Sequence, residues 1–226
     1  MSIPVVVDFP LRGEWIAPNT PGEKIPSHRT DILGQRYAYD FVGIGPESNS
    51  ARFYRTSPLR YLTLGVRLQD CYGWGRPIFS ATAGIVVQAE DGWPERNPVH
   101  LGRDLAILFK NAWTFDTKRS NDFQQLAGNH IIIETGDGYV VYAHAQTGSI
   151  KVSPGDQVKA GQQLANVGHS GNSTAPHLHF HLMDHQDPRR AQGILCCFRE
   201  YEVFHQGRWQ VVENGIPKAK DRIRKQ

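Results

Sequence analysis

This sequence predicts a mainly β fold, an antiparallel β-sheet or sandwich carrying a short helical insertion. Three observations carry that expectation. Short apolar or alternating segments recur about every ten residues, separated by Gly, Pro, Asn or Asp turn signals. Glycine and proline number 22 and 14 among 226 residues, more than a mostly helical chain accommodates. Two of the segments flank Thr135-Gly136-Asp137-Gly138, a turn composition typical of a β-hairpin.

The strands follow in order. Residues 37–42 read Tyr-Ala-Tyr-Asp-Phe-Val, and 85–90 form a second strand stopped by Asp91-Gly92. Residues 130–134 and 139–144 are the two arms of the hairpin. Residues 150–152, 157–158 and 163–167 are short strands divided by Ser153-Pro154-Gly155-Asp156 and by Lys159-Ala160-Gly161. Residues 177–182 close the series, with Pro176 tolerated at the strand entrance. Two stretches break the rhythm. Residues 97–127 mix charged and apolar side chains and read as an insertion with one helix near 103–115. Beyond Gly215 the chain carries Lys218, Lys220, Arg222, Arg224 and Lys225 against Asp221 and reads as a solvated, partly frayed tail. One domain is expected over 1–226, with its core at 28–182, the insertion at 97–127 and a C-terminal extension at 183–226.

Composition excludes several classes. A hydrophobic fraction of 39% and a charged fraction of 21% belong to a globular chain rather than a disordered one. The net charge of +3 is too small to argue for nucleic acid. No apolar run is long enough to span a membrane. The first fifteen residues hold only a short apolar run, 3–7, broken by Asp8 and Pro10. They do not read as a secretory signal, so the chain as written is expected in the cytoplasm, or outside it if a leader has been removed. Three cysteines, Cys71, Cys196 and Cys197, form no Cys-x-x-Cys pair. A cysteine zinc site or a disulfide framework is not expected.

Chemistry concentrates in histidine. Five of the ten histidines fall between His169 and His185, where an even spread would place fewer than one. Side chains alternate along a strand. In Pro176-His177-Leu178-His179-Phe180-His181-Leu182, Leu178, Phe180 and Leu182 therefore share a buried face and the three imidazoles share the other. Asp40 sits inside an aromatic strand, where an unpaired carboxylate is costly. His144 ends the hairpin. Histidines and a carboxylate from separated segments, with one position open to water, make the catalytic-zinc pattern. No His-Glu-x-x-His helix occurs.

These residues resemble a known family. His177-Leu-His179-Phe preceded by GHSGNSTAP (168–176) is similar to the GNSGxSTGPHLHF signature of lysostaphin/LytM-type zinc metalloendopeptidases, which cleave peptide bridges in peptidoglycan. Tyr142-Ala-His144 followed by Gly148-Ser-Ile resembles their YxHLxxGSI strand. Residues 152–164 resemble their VxxGDxVxxGQxI hairpins, and 77–86 their PVYAPxDGxV strand pair. The resemblance implies a fold of the LytM (duplicated-hybrid-motif) type, one Zn2+ per chain, and peptidoglycan or another peptide as substrate. It implies Asp40 and His179 as metal ligands, and His144 and His177 as catalytic residues that do not bind the metal.

One departure stands out. The family's first motif, HxGxD, places a His four residues before the Asp, and here that position is Arg36. A guanidinium offers no lone pair to a metal. His28, in the preceding loop, is the expected third ligand, with Gly34 permitting the chain to turn back and Asp31 as a weaker substitute. If neither binds, the alternative is a catalytically inactive LytM-like domain, acting as a cell-wall binding module or hydrolase activator. A β-rich carrier or sugar-binding protein with an incidental His cluster is the remaining reading. His181 and His169 are expected at the rim of a groove, His181 alternatively as a partner behind the ligands, and His130 in a structural role. The insertion and residues from Gln192 onward are expected to wall that groove. Trp93, Trp113 and Trp209 are expected mainly in the core.

Overall fold

The computed structural model describes residues 3–45, 52–114 and 122–226. In chain order its strands are β1 (Val5–Val7), β2 (Gly13–Asn19), β3 (Tyr39–Gly43), β4 (Pro77–Phe79), β5 (Gly84–Glu90), β6 (Asn129–Thr135), β7 (Gly138–Ala145), β8 (Gln157–Val158), β9 (Gln163–Asn166), β10 (His177–Met183), β11 (Gly193–Ile194), β12 (Cys196–His205), β13 (Arg208–Gly215) and β14 (Ile223–Lys225). The helices are α1 (Pro58–Thr63), α2 (Leu101–Thr114) and α3 (Asp122–Ala127). The predicted mainly antiparallel β architecture is what the chain adopts.

One large sheet runs β1-β12-β14-β2-β3-β10-β7-β6-β5-β8, with β11 added to β10 and β13 to β12; β4 and β9 form a separate pair. Among the described residues, only β1 with β12 is parallel. Strand β10 lies between β3 and β7, and its register sets His179 opposite Asp40 on one side and Ala143 on the other.

The two faces of β10 separate as alternation predicts. Leu178, Phe180 and Leu182 join Trp15, Tyr39, Phe41, Tyr142 and Phe198 in the main core. Each fully buried Leu or Phe contributes about 1.5–3 kcal/mol. The buried phenols are satisfied: Tyr39 Oη donates to the Cys196 carbonyl at 2.6 Å, and Tyr142 Oη accepts from the Ala81 amide at 2.8 Å. The opposite face carries the imidazoles, beside a smaller apolar cluster that includes Ile132, Val141, Ala143 and Met183.

Several expectations are corrected. Residues 150–152 form no strand; the Lys151 amide instead makes a single bond to the Leu164 carbonyl. The strand expected from 37 begins at Tyr39, because Gln35–Tyr37 closes a 3-10 turn first. Among the described residues the insertion holds two helices where one was expected, and Phe115, the expected helix end, lies outside the described residues. The tail is not frayed. Strand β14 pairs with both β12 and β2, Ile223 is fully buried, and Arg222, Arg224 and Lys225 pair with Glu14, Glu202 and Glu200. The alternating charge of that segment belongs to a strand whose partner faces lie far away in sequence. Among the tryptophans, Trp15 is the one in the core, whereas Trp113 is 92% exposed and Trp209 is half-buried beneath the Arg224 guanidinium.

Candidate metal centre

Strand register builds the centre. Asp40 on β3 and His179 on β10 are direct cross-strand partners, so both side chains leave the same face. His179 Nδ1 lies 2.8 Å from Asp40 Oδ1. His28 reaches the other oxygen, its Nε2 2.8 Å from Asp40 Oδ2. The loop carrying His28 folds back as expected. The Ser27 amide donates to the Arg36 carbonyl at 3.0 Å, and Gly34 adopts φ 71°. A Cβ on Gly34 would come within 2.7 Å of Met183 Cβ, so this turn needs glycine on two grounds. His28, Asp40 and His179 offer one donor atom each, all within 4.8 Å of one another. Arg36 points away and pairs with the half-exposed Asp31, so Asp31 takes no part in the cluster.

His177 and His144 stand beside these three. Their rings are 4.5 Å apart, and His177 Nε2 is 3.5 Å from Asp40 Oδ1. His177 Nδ1 meets the Ala175 carbonyl at 2.7 Å, and His144 Nδ1 meets the Ser170 carbonyl at 2.9 Å. A carbonyl only accepts, so Nδ1 carries the proton in both rings. When neutral, each ring therefore keeps its lone pair on Nε2. His144 arrives by a device that alternation does not foresee. Its backbone is left-handed, φ 63°, and the β6–β7 register slips between Asn129–Ala145 and Ile131–Tyr142. This bulge places two residues of β7 opposite one of β6. It frees His144 from the core side that Tyr142 occupies.

Burial and charge shape the ionisation. Burial alone would raise the Asp40 pKa, but His28 and His177, with hydrogen bonds from His177 and His179, hold it well below the usual carboxylate range. Burial pushes His144 well below an ordinary imidazole, helped by the positive potential of His177 and His179. His177 is raised despite its burial, because Asp40 faces it.

Three further histidines are buried. His181 is buried rather than at a rim, and its Nδ1 lies 3.1 Å from His179 Nε2. His169 is fully buried in the 168–176 loop. His130 is fully buried, bonded through Nδ1 to the Gly128 carbonyl at 2.8 Å and edge-on to Phe123. Asn19, at the end of β2, had no motif around it, yet its Nδ2 donates to Asp40 Oδ2 at 2.8 Å. The cluster opens into a cavity of about 250 Å3 whose apolar lining comes partly from the insertion, through Leu108, Phe123, Leu126 and Ala127, and partly from Leu33, Val141 and Ala143. Residues from Gln192 onward do not line it. Their strands extend the far edge of the sheet instead.

The fold and this cluster define the class: a mainly antiparallel β protein whose histidine-bearing strand faces an aspartate across the sheet. The model of peptidase family M23 matches residues 117–191, a third of the chain that includes His144, His177 and His179. Over those residues the chain is similar to peptidase family M23. It is 32% identical over 76 residues to peptidoglycan DD-endopeptidase ShyC of Vibrio cholerae serotype O1, covering 32% of this chain and 17% of that protein. It is 38% identical over 58 residues to peptidoglycan DD-endopeptidase ShyA of the same organism, covering 25% and 13%. The chain thus spans less than a fifth of the length of these curated relatives. Among solved structures it is similar to the catalytic domain of lysostaphin from Staphylococcus simulans, at 21% identity and TM-score 0.39, over 80% of this chain and 88% of that one.

Proposed function

We propose that this protein is a zinc-dependent metalloendopeptidase that hydrolyses peptide bonds in peptidoglycan crosslinks, with His28, Asp40 and His179 as the metal ligands. The observation that carries the proposal is the bracketing of Asp40 by His28 and His179, one on each carboxylate oxygen. Two imidazoles and one carboxylate suit zinc, leaving a fourth tetrahedral position open. Both imidazole nitrogens now bond to the carboxylate; a cation taken up among the three would displace the protons between them. His181 then accepts from His179 Nε2–H and orients the ring, leaving Nδ1 for the metal.

When bound, zinc supplies a Lewis acid that polarises the scissile carbonyl and makes water a nucleophile near neutral pH. The residues around it handle protons. His144 and His177 stand beside the cluster, and each ring, when neutral with Nδ1 protonated, keeps a lone pair on Nε2. One accepts the proton of the attacking water and becomes an imidazolium. It returns that proton to the leaving amine, while the other ring, when protonated, donates to the tetrahedral oxyanion. The names of the Vibrio relatives support peptidoglycan as the substrate.

The inactive-module alternative was motivated by Arg36. The position of His28 against Asp40 counts against it. Metal content by mass spectrometry, followed by peptidoglycan digestion, separates the two. About one zinc per chain is expected, lost in His28→Ala, with release of peptide fragments by the wild type alone. A wild type that takes up no zinc would falsify the proposal.

A further inference from the structure

Asp40 is flanked on both sides in the sheet. On β10 its cross-strand partner is His179, and on β2 it is Asn19. Simple alternation would not bring Asn19 to the centre. Trp15 and Ala17 of the same strand are fully buried in the main core, and residue 19 would follow them to that face. The β2–β3 register slips instead. Ile16 pairs with Val42 but Asn19 with Asp40, so three steps along β2 match two along β3. One extra residue turns the side chain to the opposite face, the face that carries Asp40. Pro18 lies inside the slip, where its missing N–H costs no regular ladder bond. The next residue fixes the strand end. Thr20 is fully buried, and its Oγ1 donates to the Pro217 carbonyl at 2.6 Å and accepts from the Gly22 amide at 3.1 Å.

Among the described residues, four side chains approach the Asp40 carboxylate. His179 Nδ1 and His177 Nε2 stand 2.8 and 3.5 Å from Oδ1, and His28 Nε2 and Asn19 Nδ2 each stand 2.8 Å from Oδ2. Three of the four are imidazoles, whose nitrogens can change from donor to acceptor. With an ion bound, the nitrogens of His28 and His179 would give it their lone pairs and stop donating to Asp40. Asn19 differs in kind. A carboxylate only accepts, so the amide faces it with Nδ2, which has no proton to give up and no lone pair to offer a metal. Its bond to Oδ2 can therefore stay in place as an ion enters. It is also neutral. A Lys or Arg at the same place would satisfy the oxygen but repel the cation that Asp40 is placed to bind.

We propose that Asn19 is a positioning residue that fixes the Asp40 carboxylate for metal binding, donating to Oδ2 both with and without the ion. The bulge in β2 is the device that delivers it. This assignment rests on Asp40 being a metal ligand, as in the proposed function, but it is read from metal affinity rather than turnover.

The test titrates the full chain with Zn2+ against a chromophoric chelator. Asn19→Ala and Asn19→Leu, the second keeping similar volume without the donor, are each expected to bind zinc about 10–100-fold more weakly than wild type. A purely structural role would lower the urea midpoint of the metal-free chain and leave the zinc affinity of the folded chain unchanged. Asn19 also lines the cavity, and a substrate contact there would raise KM without moving zinc affinity. Either of those outcomes overturns the proposal. The wild type supplies a measurement that does not depend on a variant folding. In 15N spectra one Nδ2 proton of Asn19 is expected to exchange slowly with solvent, before and after zinc is added. Fast exchange of both protons in either state overturns the assignment. A wild type that takes up no zinc overturns it together with the proposed function. Zinc binding that weakens as expected, in a chain without peptidase activity, leaves the role of Asn19 standing and removes the peptidase reading instead.

Discussion

At His144 the chain accepts backbone strain to deliver a side chain. A non-glycine residue in the left-handed region costs about 1–3 kcal/mol, and His144 sits there at φ 63°. Two variants that both lose the imidazole separate strain from chemistry. His144→Gly is expected to be more stable than His144→Ala by about 1 kcal/mol in urea unfolding, with both inactive; equal midpoints would show that the bulge relaxes without the side chain. The ligand and proton-handling groups differ in the same way. His179→Ala is expected to lose metal and activity together, while His177→Ala keeps metal and loses activity by about 100-fold or more. Turnover retained in either purified variant contradicts the assigned roles. His181, bonded behind His179, should matter by degree: His181→Ala is expected to weaken zinc affinity about 10–100-fold in a competition titration.

At the scale of elements, β14 and α2 hold positions that their local sequence does not announce. Ile223 is the buried anchor of β14, set between β12 and β2. Ile223→Ala is expected to cost about 2–5 kcal/mol, read as a lower urea midpoint at unchanged slope. A surface-like change of a few tenths would restore the frayed-tail reading. The helix α2 is anchored by Asp104, which is buried and accepts from Arg96, Arg103 and the His100 amide, and that anchor has a pH signature. Its pKa in the folded chain lies below the unfolded value of about 3.9. The stabilisation is therefore complete above that value and fades as pH falls through the acid range. Asp104→Asn should be less stable than wild type at pH 7 by about 3–5 kcal/mol, with the gap narrowing below about pH 4. A gap independent of pH would mean that Asp104 contributes through packing alone.

Over the whole molecule, two features govern how stability responds to its surroundings. The proposed metal cluster draws on β3, β10 and the His28 loop, so an ion bound there stabilises the folded state alone. At 100 times its Kd such an ion adds about 2.7 kcal/mol. A chelator should lower Tm by several degrees, and a Tm indifferent to chelation would argue against a tight site. The three cysteines are free and buried, and burial pushes the thiol of Cys71 up to about 12. Reductant should leave Tm unchanged, and thiol labelling should appear only on unfolding.

What the sequence by itself determined is what local pattern can encode. Alternation in His177–Leu182 separated an apolar face from an imidazole face, and turn composition placed the 135–138 hairpin. Both depend only on neighbours along one strand. His28 was legible as a candidate because Arg36 has no lone pair and Gly34 permits a return turn, but its contact with Asp40 is a property of the folded loop. Only the tertiary structure decided the rest. The bulge that turns His144 to the imidazole face exists because β7 must stay in register with β6 on both sides of it. Strand β14 forms because Trp15, near the other end of the chain, offers a paired edge. Asn19 meets the centre from β2 across a long separation in sequence, where no spacing rule reaches. Pairing between distant segments depends on which edges and buried partners the rest of the fold leaves available, and that is decided by packing, not by periodicity.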